Sequence, residues 1–152
     1  MAGVQRARYK PNIVQTVKTT AFSTASTSFT DVTGLSVAIT PKNASSLVLV
    51  TVSIYTSNSA IALNTFNLLR GSTNIAQPAA DTYSGSMHAS MDTVNISDKT
   101  LSITFLDSPA TTSATTYKIQ MKVTSGTGYV CRRASEAAVS AASIITVQEI
   151  EQ

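Results

Sequence analysis

The sequence has little of what most catalytic and metal sites are built from. Its 152 residues include one cysteine, one histidine and no tryptophan. A single cysteine, Cys131, excludes an intramolecular disulfide, and the paired spacing of a zinc site is missing. A single histidine, His88, disfavours a transition-metal site. We therefore predict no metal and no cofactor, and we expect packing or association to stabilise the fold.

Charge is also scarce. Charged residues make up 12% of the chain, about half the usual share, whereas there are 23 threonines and 21 serines. The formal net charge is +3, and Arg6, Arg8 and Lys10 account for it, so positions 11–152 carry eight basic and eight acidic residues. A nucleic-acid site needs a concentrated basic field. Because positions 11–152 have no such field, we predict no nucleic-acid partner.

Long apolar runs are absent from the sequence. No stretch of about 18 apolar residues occurs, and the first ten residues, MAGVQRARYK, lack the apolar core of a secretory signal. We expect a soluble protein that is made in a cytoplasm, is not exported by the usual route and has no membrane partner. The triplets at 43–45 and 95–97 match the glycosylation pattern. Without a secretory signal we assign them no function.

What the sequence does contain is alternation of apolar and polar residues with a period of two. In TYKIQMKV (116–123) the odd-numbered positions are apolar and the even-numbered ones are polar, which predicts a strand with one buried face. The segment LSITFLD (101–107) alternates in the same way, and with the loop at 107–114 it predicts a β-pair with 117–123. Residues 46–55 are apolar on both faces through Val50, which predicts a central strand.

The remaining strand-like segments are 13–22, 35–40, 64–70, 86–94, 127–132 and 143–150. Turn signals separate them at 31–34, 41–43, 71–74, 95–98 and 125–128. Eight to ten short strands at this spacing predict an all-β fold, an antiparallel β-sandwich of jelly-roll type. The alanine-rich stretch 134–143 is interpreted as a long loop or a single helical turn. Residues 1–12 are predicted to be a basic N-terminal arm, and residues 13–152 a single domain.

The few chemically active side chains favour structural roles. His88 has no Gly-x-Ser-x-Gly setting around it, so no nucleophile is indicated. Asp31, Asp98 and Asp107 are interpreted as turn residues that bond their own backbone. Cys131 precedes two arginines but has no nearby histidine, and it is interpreted as a partly buried strand thiol. We expect no enzyme; a hydrolase that uses Asp92 or Asp107 is the least favoured alternative.

The N-terminal arm is a candidate binding segment. Arg6, Arg8, Tyr9 and Lys10 interleave basic and aromatic residues, a pattern that suits docking to an acidic protein surface. A solvated tail is the main alternative interpretation, and binding of phosphates or nucleic acid comes last.

Several motifs resemble a module of bacteriophage virion proteins. They are FSTASTSFTDVTGLSVAITP (22–41), NLLRGSTNI (67–75), ITFLDSPATTSATTYKIQ (103–120) and SIITVQEI (143–150), in this order. The resemblance implies a non-enzymatic, all-β module of tail fibres or other virion surfaces that assembles as a homotrimer, so that the protein is located in the virion.

The resemblance is compatible with two locations in the virion, the capsid surface and the tail. About a dozen residues precede the module and no fibre shaft is encoded, so we expect a capsid decoration or cement protein that binds the major capsid protein or other virion proteins. The alternative is a tail or tail-fibre component that contacts a host surface glycan through loops 57–60 and 77–81.

Overall fold

The chain folds as an antiparallel β-sandwich. In the computed structural model, which describes residues 10–79, 81–93 and 97–152, every regular element of those residues is a β-strand. The strands are β1 (Ile13–Lys18), β2 (Phe22–Thr24), β3 (Thr30–Ile39), β4 (Leu47–Asn58), β5 (Leu63–Arg70), β6 (Thr73–Asn74), β7 (Met87–Ser90), β8 (Asp98–Asp107), β9 (Thr115–Val123), β10 (Gly128–Val130) and β11 (Ser143–Ile150). The predicted fold class is confirmed.

The strands form two sheets. Sheet 1 has the order β1-β11-β4-β8, and the short strands β10 and β2 extend it beside the end of β4. Sheet 2 has the order β3-β9-β5, and on the far edge of β5 the strands β6 and β7 pair with its two ends. The chain changes sheets at most connections between the long strands. Within them, the two sets of four strands β1-β11-β4-β8 and β3-β9-β5-β7, linked in this way, give the jelly-roll arrangement.

The core lies between the sheets and follows from the alternation. On β4 every second residue from Val48 to Ile54 is fully buried, and on β9 Tyr117, Ile119 and Met121 are fully buried as well. Phe66 and Leu68 on β5, which pairs with β9 in sheet 2, belong to the same core cluster. Burial of each such side chain stabilises the fold by about 1.5–3 kcal/mol. The predicted inward face of 117–123 and the central position of 46–55 are thus confirmed.

The predicted β-pair of 101–107 with 117–123 is wrong. β8 pairs with β4 in sheet 1, whereas β9 pairs with β3 and β5 in sheet 2. Residues 108–114 therefore cross from one sheet to the other and do not close a hairpin. Apolar alternation fixes which face of a strand is buried but not which strand lies beside it. This seven-residue connection is also longer than the usual hairpin loop of two to five residues.

Two smaller predictions also differ from the structure. The predicted turn at 31–34 lies inside β3, where the register with β9 shifts between Asp31 and Ser36 and Gly34 has a φ of 80°. This is a bulge-like irregularity of the ladder, which also uses glycine, so a turn and such an irregularity share one sequence signal. The predicted strand 13–22 is interrupted at 19–21. The stretch 134–143 contains no helix and is a loop up to Ser143, as one of the two interpretations had it.

The connection from β5 to β7 folds over the outer face of sheet 2. The backbone N–H of Ser86 donates to the carbonyl of Phe66 at 2.7 Å, and the Ser86 hydroxyl accepts from the N–H of Leu68 at 2.9 Å. Gly85 permits this close approach, because a Cβ there would lie 2.4 Å from Thr65 Cγ2 and 2.9 Å from the Phe66 carbonyl oxygen. As a result Thr65 is buried although it points outward from the sheet.

Candidate functional site

The root of the N-terminal arm is fixed to the sandwich. Arg6, Arg8 and Tyr9 of the predicted docking arm lie outside the described residues, and Lys10, the fourth, is exposed. The Lys42 ammonium donates to the Lys10 carbonyl oxygen at 2.7 Å. It also pairs with the Glu151 carboxylate at 2.8 Å. The arm therefore leaves the sandwich beside the 40–43 turn and the end of β11.

A buried carboxylate holds this root in place. Glu149 on β11 is fully buried. Its Oε2 accepts from Asn12 Nδ2 at 2.7 Å and its Oε1 from the backbone N–H of Lys42 at 2.7 Å, while its own N–H donates to the Asn12 carbonyl at 2.9 Å. Burial raises the pKa of Glu149, but hydrogen bonds from Asn12, Ser46 and the 42–43 backbone outweigh it and leave the pKa below its usual value. Glu149 is thus an ionised clasp between β11, the arm root and the 40–43 turn.

The outer face of sheet 1 has a region without charge, which we call the neutral face. It comprises fourteen outward side chains of β1, β11, β4 and β8. They are Ile13, Gln15, Val17, Leu47, Leu49, Thr51, Ser53, Ser102, Thr104, Leu106, Ile144, Thr146, Gln148 and Ile150. None of these fourteen is ionisable and none is buried. With strands about 4.8 Å apart and residues about 3.3 Å apart, the neutral face measures roughly 19 Å by 23 Å. Farther along β4 and β8 the outer face of sheet 1 carries Tyr55 and Asp98 and is charged.

The neutral face has a polar centre and apolar flanks. Its middle row crosses the sheet as Gln15, Thr146, Thr51 and Thr104. Gln15 Nε2 donates to Thr146 Oγ1 at 2.8 Å, so part of this polarity is already satisfied. The next row toward the end of β11 includes Ile13 and Leu106, each 51% exposed. Apolar patches of a few hundred Å² on a soluble domain often mark interaction sites.

The opposite face of the sandwich is different. The outer side of β9 carries Lys118 and Lys122, and Lys118 pairs with Asp31 of β3 at 2.8 Å. Lys122 donates to the carbonyl of Thr82 in the 71–86 connection at 2.8 Å. Sheet 2 is therefore charged and partly covered by its own chain, whereas the neutral face of sheet 1 is uncharged and not buried.

Asp98 and Asp107, which the sequence indicated as turn residues, instead bind arginine and tyrosine side chains, and this corrects that interpretation. Asp107 accepts two hydrogen bonds from Arg70 Nη1, at 2.8 and 2.9 Å, and one from the Tyr117 hydroxyl at 2.7 Å. Asp98 accepts from Arg133 at 3.0 Å and from the Tyr55 hydroxyl. Burial, followed by the hydrogen bond to Asp98, raises the pKa of Tyr55 to about 12. Both clusters tie strand ends together.

The two lone reactive residues are placed apart from each other. His88 is exposed on β7, and its Nδ1 lies 3.2 Å from Thr65 Oγ1. Partial desolvation and the Lys122 ammonium lower the pKa of His88. Cys131 lies just after β10 with a φ of 65°, and it is 1% exposed. Its thiol donates to the Lys18 carbonyl at 3.2 Å, so it is more deeply buried than the sequence indicated.

A shallow pocket opens where the 71–86 connection meets sheet 2. Its volume is about 180 Å³, and its lining includes Thr27, Thr82, Tyr83, Lys122 and Thr124. Tyr83 is 60% exposed, so its ring is available to a ligand.

The loop at 57–60, which was predicted to contact sugars, is not open in this way. Ser57 and Asn58 are fully buried, and Asn58 Nδ2 donates to Asn64 Oδ1 at 2.7 Å. The other predicted sugar-contact loop, 77–81, has Pro78, Ala79 and Asp81 exposed, while position 80 lies outside the described residues.

Among the described residues no three His, Cys, Asp or Glu side chains are grouped to hold a metal ion. In the same residues no helix has the length and apolarity needed to cross a membrane. Comparison of the chain with known protein families and with curated protein sequences gives no match.

The neutral face was not predicted from the sequence. Its only sequence signal is that the outward positions within 13–17, 47–53, 102–106 and 144–150 are all uncharged, and that signal becomes visible once their register is known.

Proposed function

We propose that this protein is a non-enzymatic structural component of a bacteriophage virion, a capsid decoration protein that stabilises the head as a homotrimer. The observation that carries the association role is the neutral face: fourteen outward side chains of one sheet without a charge. A large neutral surface loses little hydration energy when it is buried against another protein. The phage assignment rests on the motif resemblance, and the jelly roll is an architecture that capsid proteins also use.

The arm and the neutral face have complementary tasks in this proposal. The basic residues Arg6, Arg8 and Lys10 attract an acidic surface of a neighbouring capsid subunit. Because Asn12 is hydrogen-bonded to Glu149, a force on the arm is transmitted to β11, which pairs with the central strand β4. The neutral face then provides the contact area. A protein that binds only the assembled shell stabilises that shell by mass action.

Capsid binding by the purified protein tests the function. The protein is incubated with capsids that lack it and, separately, with host cells, and the copies bound to each are counted. We expect saturable binding to capsids at a stoichiometry related to their symmetry. Binding to cells and not to capsids contradicts the decoration role.

Two variants separate the contributions of the arm and the face. Deletion of residues 1–9 removes Arg6, Arg8 and Tyr9 of the arm but keeps Asn12, which the buried Glu149 needs. Thr51→Lys puts a charge at the centre of the neutral face. Burial of an unpaired charge costs about 2 kcal/mol or more, so Thr51→Lys is expected to weaken capsid binding by roughly 30-fold. Thr116→Lys, at an exposed site of sheet 2, is the matched control and should bind like the parent.

A second candidate function is host attachment as a tail or tail-fibre component. The shallow pocket favours it, because the exposed Tyr83 ring and the hydroxyls of Thr27, Thr82 and Thr124 offer the stacking and hydrogen bonding that a sugar uses. Tyr83→Ala tests this function. It should abolish binding to cells if the pocket holds a host glycan, and it should leave capsid binding unchanged.

A further inference from the structure

Strand β8 is an unprotected edge of sheet 1. In the described part of the chain it pairs with β4 alone, and its register is continuous from Val48↔Asp107 to Ser57↔Asp98, without a bulge. Between Lys99 and Asp107 it carries no charge and no proline. Natural proteins usually protect a long edge strand with charges, proline or bulges, because its free N–H and C=O groups can pair with another strand. The seven residues from Thr100 to Leu106 are therefore a template for one more strand.

We infer that two copies of this chain join by antiparallel pairing of β8 with β8, across a two-fold axis at Ile103. In that register Ile103 lies opposite itself and Leu101 opposite Phe105, and all three side chains face the core side of the sheet. Ser102 lies opposite Thr104 on the outer side. A two-fold contact of this kind uses the same residues of both copies.

The ends of the strand select this register. With the axis at Ile103, Lys99 lies opposite Asp107, which is already paired with Arg70, so no charge lies opposite an apolar side chain and no like charges lie opposite each other. An axis at Ser102 puts Lys99 opposite Phe105, and an axis at Thr104 puts Asp107 opposite Leu101. A shift by a single residue places inward side chains opposite outward ones. The existing ion pair of Lys99 with Asp92, at 3.8 Å and largely exposed, does not hold Lys99 away.

Pairing through β8 has a structural consequence for the neutral face. Sheet 1 continues from one copy into the next, and the two neutral faces become one surface of about twice the area. The contact is two-fold, so it is additional to the three-fold contact that the sequence resemblance implies, and it joins two monomers or two trimers. It does not depend on the proposed virion function.

Paired charge variants test the contact and its register. Ser102 and Thr104 are both exposed, so substitution there leaves the core intact. In Ser102→Lys/Thr104→Lys the new lysines lie opposite each other in two cross-strand pairs, and the dissociation constant is expected to rise about tenfold or more. In Ser102→Lys/Thr104→Glu opposite charges meet in the same pairs, and association should be retained.

Sedimentation over a range of concentrations measures the result. The parent should associate in even multiples of the 15.9 kDa chain, and the two double variants should differ as stated. A parent that sediments only as a monomer or only as a trimer overturns the inference. So does an equal effect of the two double variants, because that result would mean that positions 102 and 104 do not face each other.

Cysteine cross-linking supplies a second readout of the register. Ile103→Cys puts two thiols directly opposite each other, and with oxidised glutathione as the electron acceptor they should form an intermolecular disulfide. Leu101→Cys is the control, because its thiol would lie opposite Phe105. The native Cys131 is buried and does not interfere. Cross-linking at 101 and not at 103 would contradict the axis at Ile103, whatever the oligomeric mass.

Discussion

Replacement of Asp107 by asparagine should destabilise the fold far more than the same change at Asp31. Asp107 is at the end of β8, where its side chain is 7% exposed and accepts hydrogen bonds from Arg70 and Tyr117. Asparagine keeps the shape but removes the charge and turns one acceptor into a donor. The Arg70 guanidinium and the Tyr117 hydroxyl then lose partners in a site where water replaces them poorly.

The size of the effect follows from burial. Loss of one member of a fully buried ion pair costs about 3–5 kcal/mol. The Arg70 side chain is 31% exposed and recovers part of its hydration, so we expect about 2–3 kcal/mol. At this chain length that loss lowers the melting temperature by roughly 5–10 °C. Asp31 is 53% exposed in its pair with Lys118, and Asp31→Asn should cost at most about 1 kcal/mol.

Urea unfolding at neutral pH measures both variants, with the midpoint shifted and the denaturant slope unchanged. Tyr117→Phe completes the test. Alone it should cost about 1–2 kcal/mol, and in the Asp107→Asn background it should cost less, because the acceptor of its hydroxyl is already impaired. Equal losses for Asp31→Asn and Asp107→Asn would refute the reasoning, since they would show that burial of the pair has no energetic consequence.

Three further predictions concern pH, packing and the thiol. The pKa of Glu149 is below its usual 4.5 in the fold, so the stability that Glu149 contributes is complete above pH 4.5 and is lost as the pH falls below it. The pKa of Tyr55 is raised from 10 to about 12, so the stability that Tyr55 contributes is complete below pH 10 and is lost between pH 10 and 12. Urea midpoints across pH should fall at both ends, and a flat profile contradicts this. Gly85→Ala should cost about 1–3 kcal/mol, because the new methyl group meets the β5 atoms described above, whereas Gly71→Ala, with open space and a φ of 58°, should cost about 1 kcal/mol from strain alone. Cys131 should react with a thiol reagent at the rate of unfolding, and rapid reaction of the native protein would show that the thiol is not buried.

Strand faces could be predicted from the sequence, and strand partners could not. The alternation in 117–123 identifies the buried side of β9 because side chains of a strand point to opposite faces in turn. The same alternation in 101–107 led to the wrong pairing with β9, since β8 lies in the other sheet. Hydrophobic burial is satisfied equally by either arrangement. The 108–114 crossover carries the chain from β8 in sheet 1 to β9 in sheet 2, while Arg70 of β5 binds Asp107 and links the two sheets.

The candidate site is even harder to predict from the sequence, because the pairing register of four strands brings its residues together. The neutral face combines outward residues of 13–17, 47–53, 102–106 and 144–150, which are far apart in the chain. Each segment alone shows only a few uncharged polar or apolar residues, as expected from a chain rich in serine and threonine. The arm, in contrast, is a continuous segment, and its basic residues can be recognised directly in the sequence.

Charge in this molecule is arranged around the neutral face and not on it. The ion pair of Lys42 with Glu151 lies at one end of sheet 1 and that of Asp98 with Arg133 at the other, while the basic arm starts beside the first pair. Charges far from a contact act through long-range attraction, which salt screens, whereas burial of a neutral surface is insensitive to salt. The arm should therefore govern how fast a partner is found, and the neutral face how long it stays. Added salt should then slow association with a capsid and leave the dissociation rate nearly unchanged.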